Sequence, residues 1–314
     1  MRSGSREILF AALAVMAACD GTTIVLGPTD PGTTHADVAE VASGVDTAGA
    51  ADAVEPETAV DTARPDPGTV KTCIANNDGR IDADELPVAL GAAPSFTANG
   101  YGTVVDVDVD GVDTADGRVW DFTDGPTDVT TSMYVKAPGG YWFEPLFPGA
   151  SFVSPLSAQD PSVLGVYQAD TKGVRLMGIA SEEENGPTGK TIVVYDSPVP
   201  LFEFPLVLNN VYSVKSSFKD ALLYNVPNAG QETYKTTVDA VGTLKLPAFT
   251  LKNTLRLRIE VSQKFVVSTS PDPIPSIQYL WVHECLGEAA RISSPVGTTD
   301  PHFKQAKEFR RIGF

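Results

Sequence analysis

No aromatic residue lies between Cys19 and Lys71, whereas 21 of the 26 aromatic residues fall in residues 131–314. A chain folds where it carries large apolar side chains, because their burial must outweigh the conformational entropy lost on ordering. The distribution therefore confines a folded body to the later part of the 314-residue chain. Charge divides the chain in the same way. Residues 20–72 hold ten acids and two bases, residues 73–130 twelve acids and two bases, and residues 131–314 seventeen of each. The net charge of −17 argues against a nucleic-acid partner, which would need a basic footprint.

Residues 1–18 read as an export leader. Arg2 and Arg6 give a positive start, and the eleven residues 8–18 carry no charge. That run is too short to cross a bilayer as a helix and suits a signal-peptide core. It ends Met16-Ala17-Ala18-Cys19, which resembles the lipobox of bacterial lipoproteins. The resemblance implies that residues 1–18 are removed and that Cys19 is lipidated. It also implies that the protein is held on a membrane of the cell envelope, at the periplasmic face or the cell surface. Met16 stands where that family usually has Leu. An ordinary secretory leader cleaved at Ala17 or Ala18 is the alternative. Residues 19–72 are expected to form a disordered acidic linker, since they repel one another and cannot bury a core. A flexible chain of that length reaches about 40 Å.

Residues 73–99 form a short acidic segment expected to pack on the globule. Asn76-Asn77-Asp78-Gly79 reads first as a turn. It also resembles the second half of an EF-hand loop: Asn76, Asp78, Asp82 and Glu85 fall at loop positions 3, 5, 9 and 12. On that reading the four would be calcium ligands. Position 1 would be Ile74, which cannot ligate a hard cation, and Pro87 interrupts the helix that should leave the loop. Val105-Asp106-Val107-Asp108-Val109-Asp110 alternates strictly and is expected to be a half-buried strand, with its valines inward.

From residue 100 to residue 314 short apolar runs alternate with turn residues, among them Glu184-Asn185-Gly186-Pro187 and Pro227-Asn228-Ala229-Gly230. The pattern predicts an all-β fold: one antiparallel β-sandwich or an open or half barrel. A helical period appears only near the end, where Phe303, Ala306 and Phe309 would share a face among Lys304, Lys307, Arg310 and Arg311. The segments at Gly242-Thr243-Leu244-Lys245-Leu246-Pro247, Asn253-Thr254-Leu255-Arg256 and Tyr279-Leu280-Trp281 resemble an uncharacterised β-rich module of Gram-negative envelope and secreted proteins. Some such modules look like half barrels that carry lipoproteins or lipids. The residues themselves predict a long curved hairpin whose return strand turns Leu255, Leu257 and Ile259 inward and Arg256 and Arg258 outward.

If Cys19 is acylated, Cys73 and Cys285 remain as a pair, expected to form a disulfide in an oxidising compartment. His283 and Cys285 would share a strand face, but a zinc site needs further ligands that the sequence does not supply. No nucleophile elbow, phosphate loop or dinucleotide fingerprint is present, so the chain is not expected to be an enzyme, and calcium is the one cofactor considered. Tyr141, Trp142 and Phe143 form the densest aromatic run. They are read either as a ligand platform or as closure of the core. The leading expectation is an envelope lipoprotein displaying a β-rich binding or structural module, whose partner is the membrane together with a protein, glycan or lipid. The alternatives are a carrier of lipid or other hydrophobic cargo and an envelope hydrolase using carboxylates. An apolar cavity inside the sheet would favour the carrier, and a cleft with facing carboxylates the hydrolase.

Overall fold

The computed structural model describes residues 73–266 and 272–313. The leader, Cys19 and the acidic linker lie outside the described residues. The fold is all-β, as its alternating pattern predicts. Its strands are β1 (Ser95–Ala98), β2 (Val105–Asp106), β3 (Val112–Thr114), β4 (Gly117–Asp121), β5 (Val129–Ser132), β6 (Phe152–Pro155), β7 (Val163–Asp170) and β8 (Gly173–Ser181). They continue with β9 (Ile192–Glu203), β10 (Val211–Leu223), β11 (Val226–Lys245), β12 (Thr250–Phe265), β13 (Ile274–His283), β14 (Gly287–Ser293), β15 (Gln305–Ala306) and β16 (Glu308–Ile312).

Fourteen strands form one sheet that does not close into a barrel. From β6 to β14 the order follows the chain, as successive antiparallel hairpins. Beyond β14 it jumps to β16, β1 and β5, so residues from both ends of the globule complete one flank. The expected boundary at residue 100 thus falls between two strands, β1 and β2. The two flanks approach each other. Past β5, Lys136 exchanges two backbone hydrogen bonds with Val153 of β6, at 3.0 and 2.8 Å.

Local chemistry explains the hairpins. Asp170 turns β7 into β8 by accepting the N–H groups of Lys172 and Gly173 at 2.7 and 3.0 Å. The β10–β11 turn is Tyr224-Asn225, both at positive φ, as a two-residue hairpin turn requires. The turn expected at residues 227–230 is therefore strand instead. Pro227 is tolerated there because β12 pairs with β11 only from Gly230 onward, so no ladder on that side needs its missing N–H. At the far end of β11, β4 runs parallel to Gly242–Lys245. Gly242 permits the approach, since a Cβ on it would lie 2.4 Å from the Arg118 carbonyl oxygen.

The middle of the sheet is covered on both faces. Along β13, Leu280 and Val282 enter one core with Leu255, Leu257 and Ile259. Ile277, Tyr279 and Trp281 enter a second core with Trp120, Phe122 and Phe309. Segments around β2 to β4 lie over that second face. Val107 and Val109 are buried beneath exposed Asp106 and Asp108 as the alternation predicts. The ladder itself stops at Asp106, because Asp108 accepts the Asp110 N–H and bends the chain.

Two expectations are corrected by this second face. Arg256 does not point into solvent: it is 6% exposed. The second core covers it, and the bare hairpin pattern could not show that cover. The C-terminal helix is absent. Residues 305–306 and 308–312 are strands, with Arg310 and Arg311 buried. Pairing of β16 between β1 and β14 overrides a weak local helical period, as tertiary context often does.

Candidate functional site

Where the flanks of the sheet converge, a cavity of about 620 Å³ remains, within the size range of small-molecule pockets. One wall is apolar and comes from both flanks: Phe152, Tyr167, Val174 and Phe202 on one side, Phe96 and Met133 on the other. Phe152 and Tyr167 stack with centroids 4.8 Å apart. Gly165 leaves room for that ring, since a Cβ there would meet the Tyr167 hydroxyl oxygen at 2.4 Å. Burial pushes the Tyr167 phenol up to about 12.

A strap of residues 86–94 forms another wall. It is tied at both ends. Cys285 N–H donates to the Glu85 carbonyl at 2.7 Å, and Gly91 N–H and Met133 N–H link the far end at 2.8 and 2.9 Å. The Cys73–Cys285 disulfide holds the start of the folded chain at the same corner, as expected from the cysteine count. Val88 and Leu286 line the cavity and are exposed, so the cavity opens to solvent between them. Leu90 of the strap and Ile74, which follows Cys73, are exposed as well.

The third wall is charged. Glu288 and Arg291 of β14 and Arg310 of β16 border the cavity. Glu288 accepts from Arg291 Nε at 3.1 Å and from Arg291 Nη2 through Oε2. Through Oε1 it accepts from Arg310 Nε at 2.8 Å, with Arg310 Nη2 at 2.7 Å. Arg310 Nη1 donates to the Leu156 carbonyl, so all three nitrogens of that side chain are engaged. Glu308 lies 3.5 Å behind Arg310 and accepts from Ser157 Oγ at 2.9 Å and Ala158 N–H at 3.1 Å. Burial works against the Glu288 charge, but Arg291 and Arg310 outweigh it and hold the carboxyl below its usual range. Arg291 differs from its neighbour. Its side chain is 7% exposed, and its Nη1 has no hydrogen-bond partner among the described residues.

The residues singled out from sequence lie elsewhere or serve locally. Asn76 and Asp78 accept backbone N–H groups two residues on, at 2.8 Å each. Asp82 pairs with Arg80, and Glu85 turns back onto the Asp82 N–H at 3.0 Å. Among the described residues no three His, Cys, Asp or Glu side chains are grouped to hold a metal ion. Phe143 is fully buried in a third core with Phe147, Leu164 and Val166. Tyr141 stacks on it at 5.0 Å, and Trp142 donates to the Ser181 carbonyl at 2.9 Å. The three aromatics close that core and do not border the cavity. Sequence reasoning missed Glu288, Arg291 and Arg310, which lie on strands whose pairing is not adjacent in the chain. The legible signal was residues 86–94, an uncharged apolar stretch directly after Asp84-Glu85.

A second buried carboxyl stands apart from the cavity. Glu232 accepts from Tyr195 and Tyr234 hydroxyls at 2.8 and 2.5 Å and from Gln263 Nε2 at 2.8 Å. Burial raises it to about 7, against the pull of those three donors. No family model, curated protein or solved structure matches the chain.

Proposed function

We propose that this chain is an envelope lipoprotein whose β-domain binds a small apolar molecule in the cavity between the flanks of its sheet, and so acts as a binding module or carrier. The observation that carries the reading is the cavity itself: about 620 Å³, mostly apolar in its lining, open at one rim. Of the functions considered, cargo binding is the one that needs such a space. The positive leader, the apolar run and Cys19 support lipid anchoring at the cell envelope. The Cys73–Cys285 disulfide suits an oxidising compartment. A carboxylate hydrolase has less support, since the carboxylate that borders the cavity, Glu288, is held by two buried arginines. The test is a native mass spectrum of the protein recovered from a periplasm without detergent. A bound mass of lipid size, lost on organic extraction, is the expected result. A bare protein that also fails to take up a neutral fluorescent apolar probe would overturn the reading.

A further inference from the structure

We infer that the ligand of this cavity is an amphiphile with one anionic head, and that Arg291 receives the head. This rests on the cavity being a binding site, as proposed above. Three observations support it. First, the charged wall is unbalanced where it meets the cavity. Arg291 and Arg310 border it with Glu288 alone between them. Glu308 does not border the cavity, and Ser157 and Ala158 hold it from behind. Second, the two arginines are not equivalent. Arg310 uses every nitrogen within the protein, whereas Arg291 keeps Nη1 without a partner although the side chain is over nine-tenths buried. Nη1 is not itself a buried atom lacking a hydrogen bond, so it is open to solvent from the cavity that Arg291 lines, where an anion can accept from it in place of water. Third, the opposite wall is built of Phe152, Val174 and Phe202. A wholly polar anion would leave that wall facing water, and a wholly apolar ligand would leave Arg291 Nη1 unpaired.

The head is a carboxylate or a phosphate monoester. Both present paired oxygens that match the planar guanidinium, which favours Arg over Lys for this task. Glu288 has a positioning role. It holds Arg291 through Nε and Nη2, which leaves the remaining nitrogen free of Glu288.

The experiment uses the full chain carrying Cys19→Ala, so that no acyl group of its own enters the assay. A neutral fluorescent apolar probe is bound first. It is then displaced by dodecanoate, dodecyl phosphate, dodecanol and dodecyltrimethylammonium. Displacement by at least one anionic amphiphile at roughly tenfold lower concentration than by dodecanol is expected, the size of a charge-assisted hydrogen bond. Whichever anion acts at the lower concentration identifies the head. Arg291→Gln should abolish the preference, so that the anionic chains displace the probe at no lower concentration than dodecanol. Equal displacement by anionic and neutral chains, or preference for the cation, overturns this inference while the cavity reading stands. Failure of the probe to bind overturns both. The series on the unsubstituted Arg291 decides the matter even if Arg291→Gln does not fold.

Discussion

Two buried arginines show how the two faces of this sheet differ. Arg256 sits in the second core, with its guanidinium 4.6 Å from the Tyr279 ring centroid and 5.5 Å from that of Trp120. Its Nε and Nη2 donate to Asp239 at 2.8 and 3.1 Å, and Nη1 donates to the Val109 carbonyl. Every nitrogen is engaged and aromatic rings cover it. Arg291 is equally buried, yet one nitrogen is unpaired and a cavity lies beside it. Burial alone does not mark a functional charge, since a closed network such as that of Arg256 is a structural device. An open one, facing space, is where a ligand completes the set.

The largest effect should come from breaking the closed network. Arg256→Leu leaves Asp239, whose side chain is 14% exposed, without its cation, and a loss of about 4–5 kcal/mol is expected in denaturant unfolding. Removing the disulfide by Cys73→Ser with Cys285→Ser comes next, at about 2–4 kcal/mol, the range typical of a single disulfide. That pair also frees the corner where the strap is tied, so probe binding in the cavity should weaken, while near-ultraviolet signals of Trp120 and Trp281 should persist. An unchanged affinity would show that the strap holds its place without the bond.

Glu232 extends the comparison to a buried charge with no cation at all. Its folded value of about 7 lies above the ordinary carboxyl value of 4.5, so the folded state binds the proton more tightly than the unfolded state. The carboxyl therefore costs nothing below about pH 4.5, and stability falls as pH rises toward 7, by roughly 3 kcal/mol in all. Glu232→Gln should flatten that slope, measured as unfolding midpoints across the window. Glu288 has the opposite sign. Its value is lowered, so its contribution is present at neutral pH and is lost as pH falls below the usual carboxylate range. The smallest stability effect belongs to Arg291→Gln, about 1–2 kcal/mol, because Arg310 still holds Glu288. A loss as large as that of Arg256→Leu would show that the two networks are alike, contrary to the distinction drawn here.

Much of the scaffold was legible in advance, and the reasons are local. Alternation placed the long strands, since Leu255, Leu257 and Ile259 could face a core only in a register of two. The inward valines at positions 107 and 109 followed from the same rule. Two cysteines left over from an acylation motif suggested their own pairing. The misreadings share one cause. Pro227 looked like a turn because nothing local says that β12 begins its pairing at Gly230. The terminal segment looked helical because nothing local says that β1 and β14 stand ready to take β16 between them. Arg256 looked exposed because the cover over it comes from Val109 and Trp120, far away in sequence.

The candidate site belongs entirely to that second category. Composition and spacing were enough to indicate the all-β class and the pairing of Cys73 with Cys285. Those properties depend on side-chain period and the number of available thiols. Only the tertiary structure decided that the two flanks of the sheet would converge around open space. It alone also decided that Glu288, Arg291 and Arg310 would meet there with one nitrogen unpaired. Those outcomes depend on sheet curvature and on pairing between the two ends of the chain, for which local periodicity carries no term.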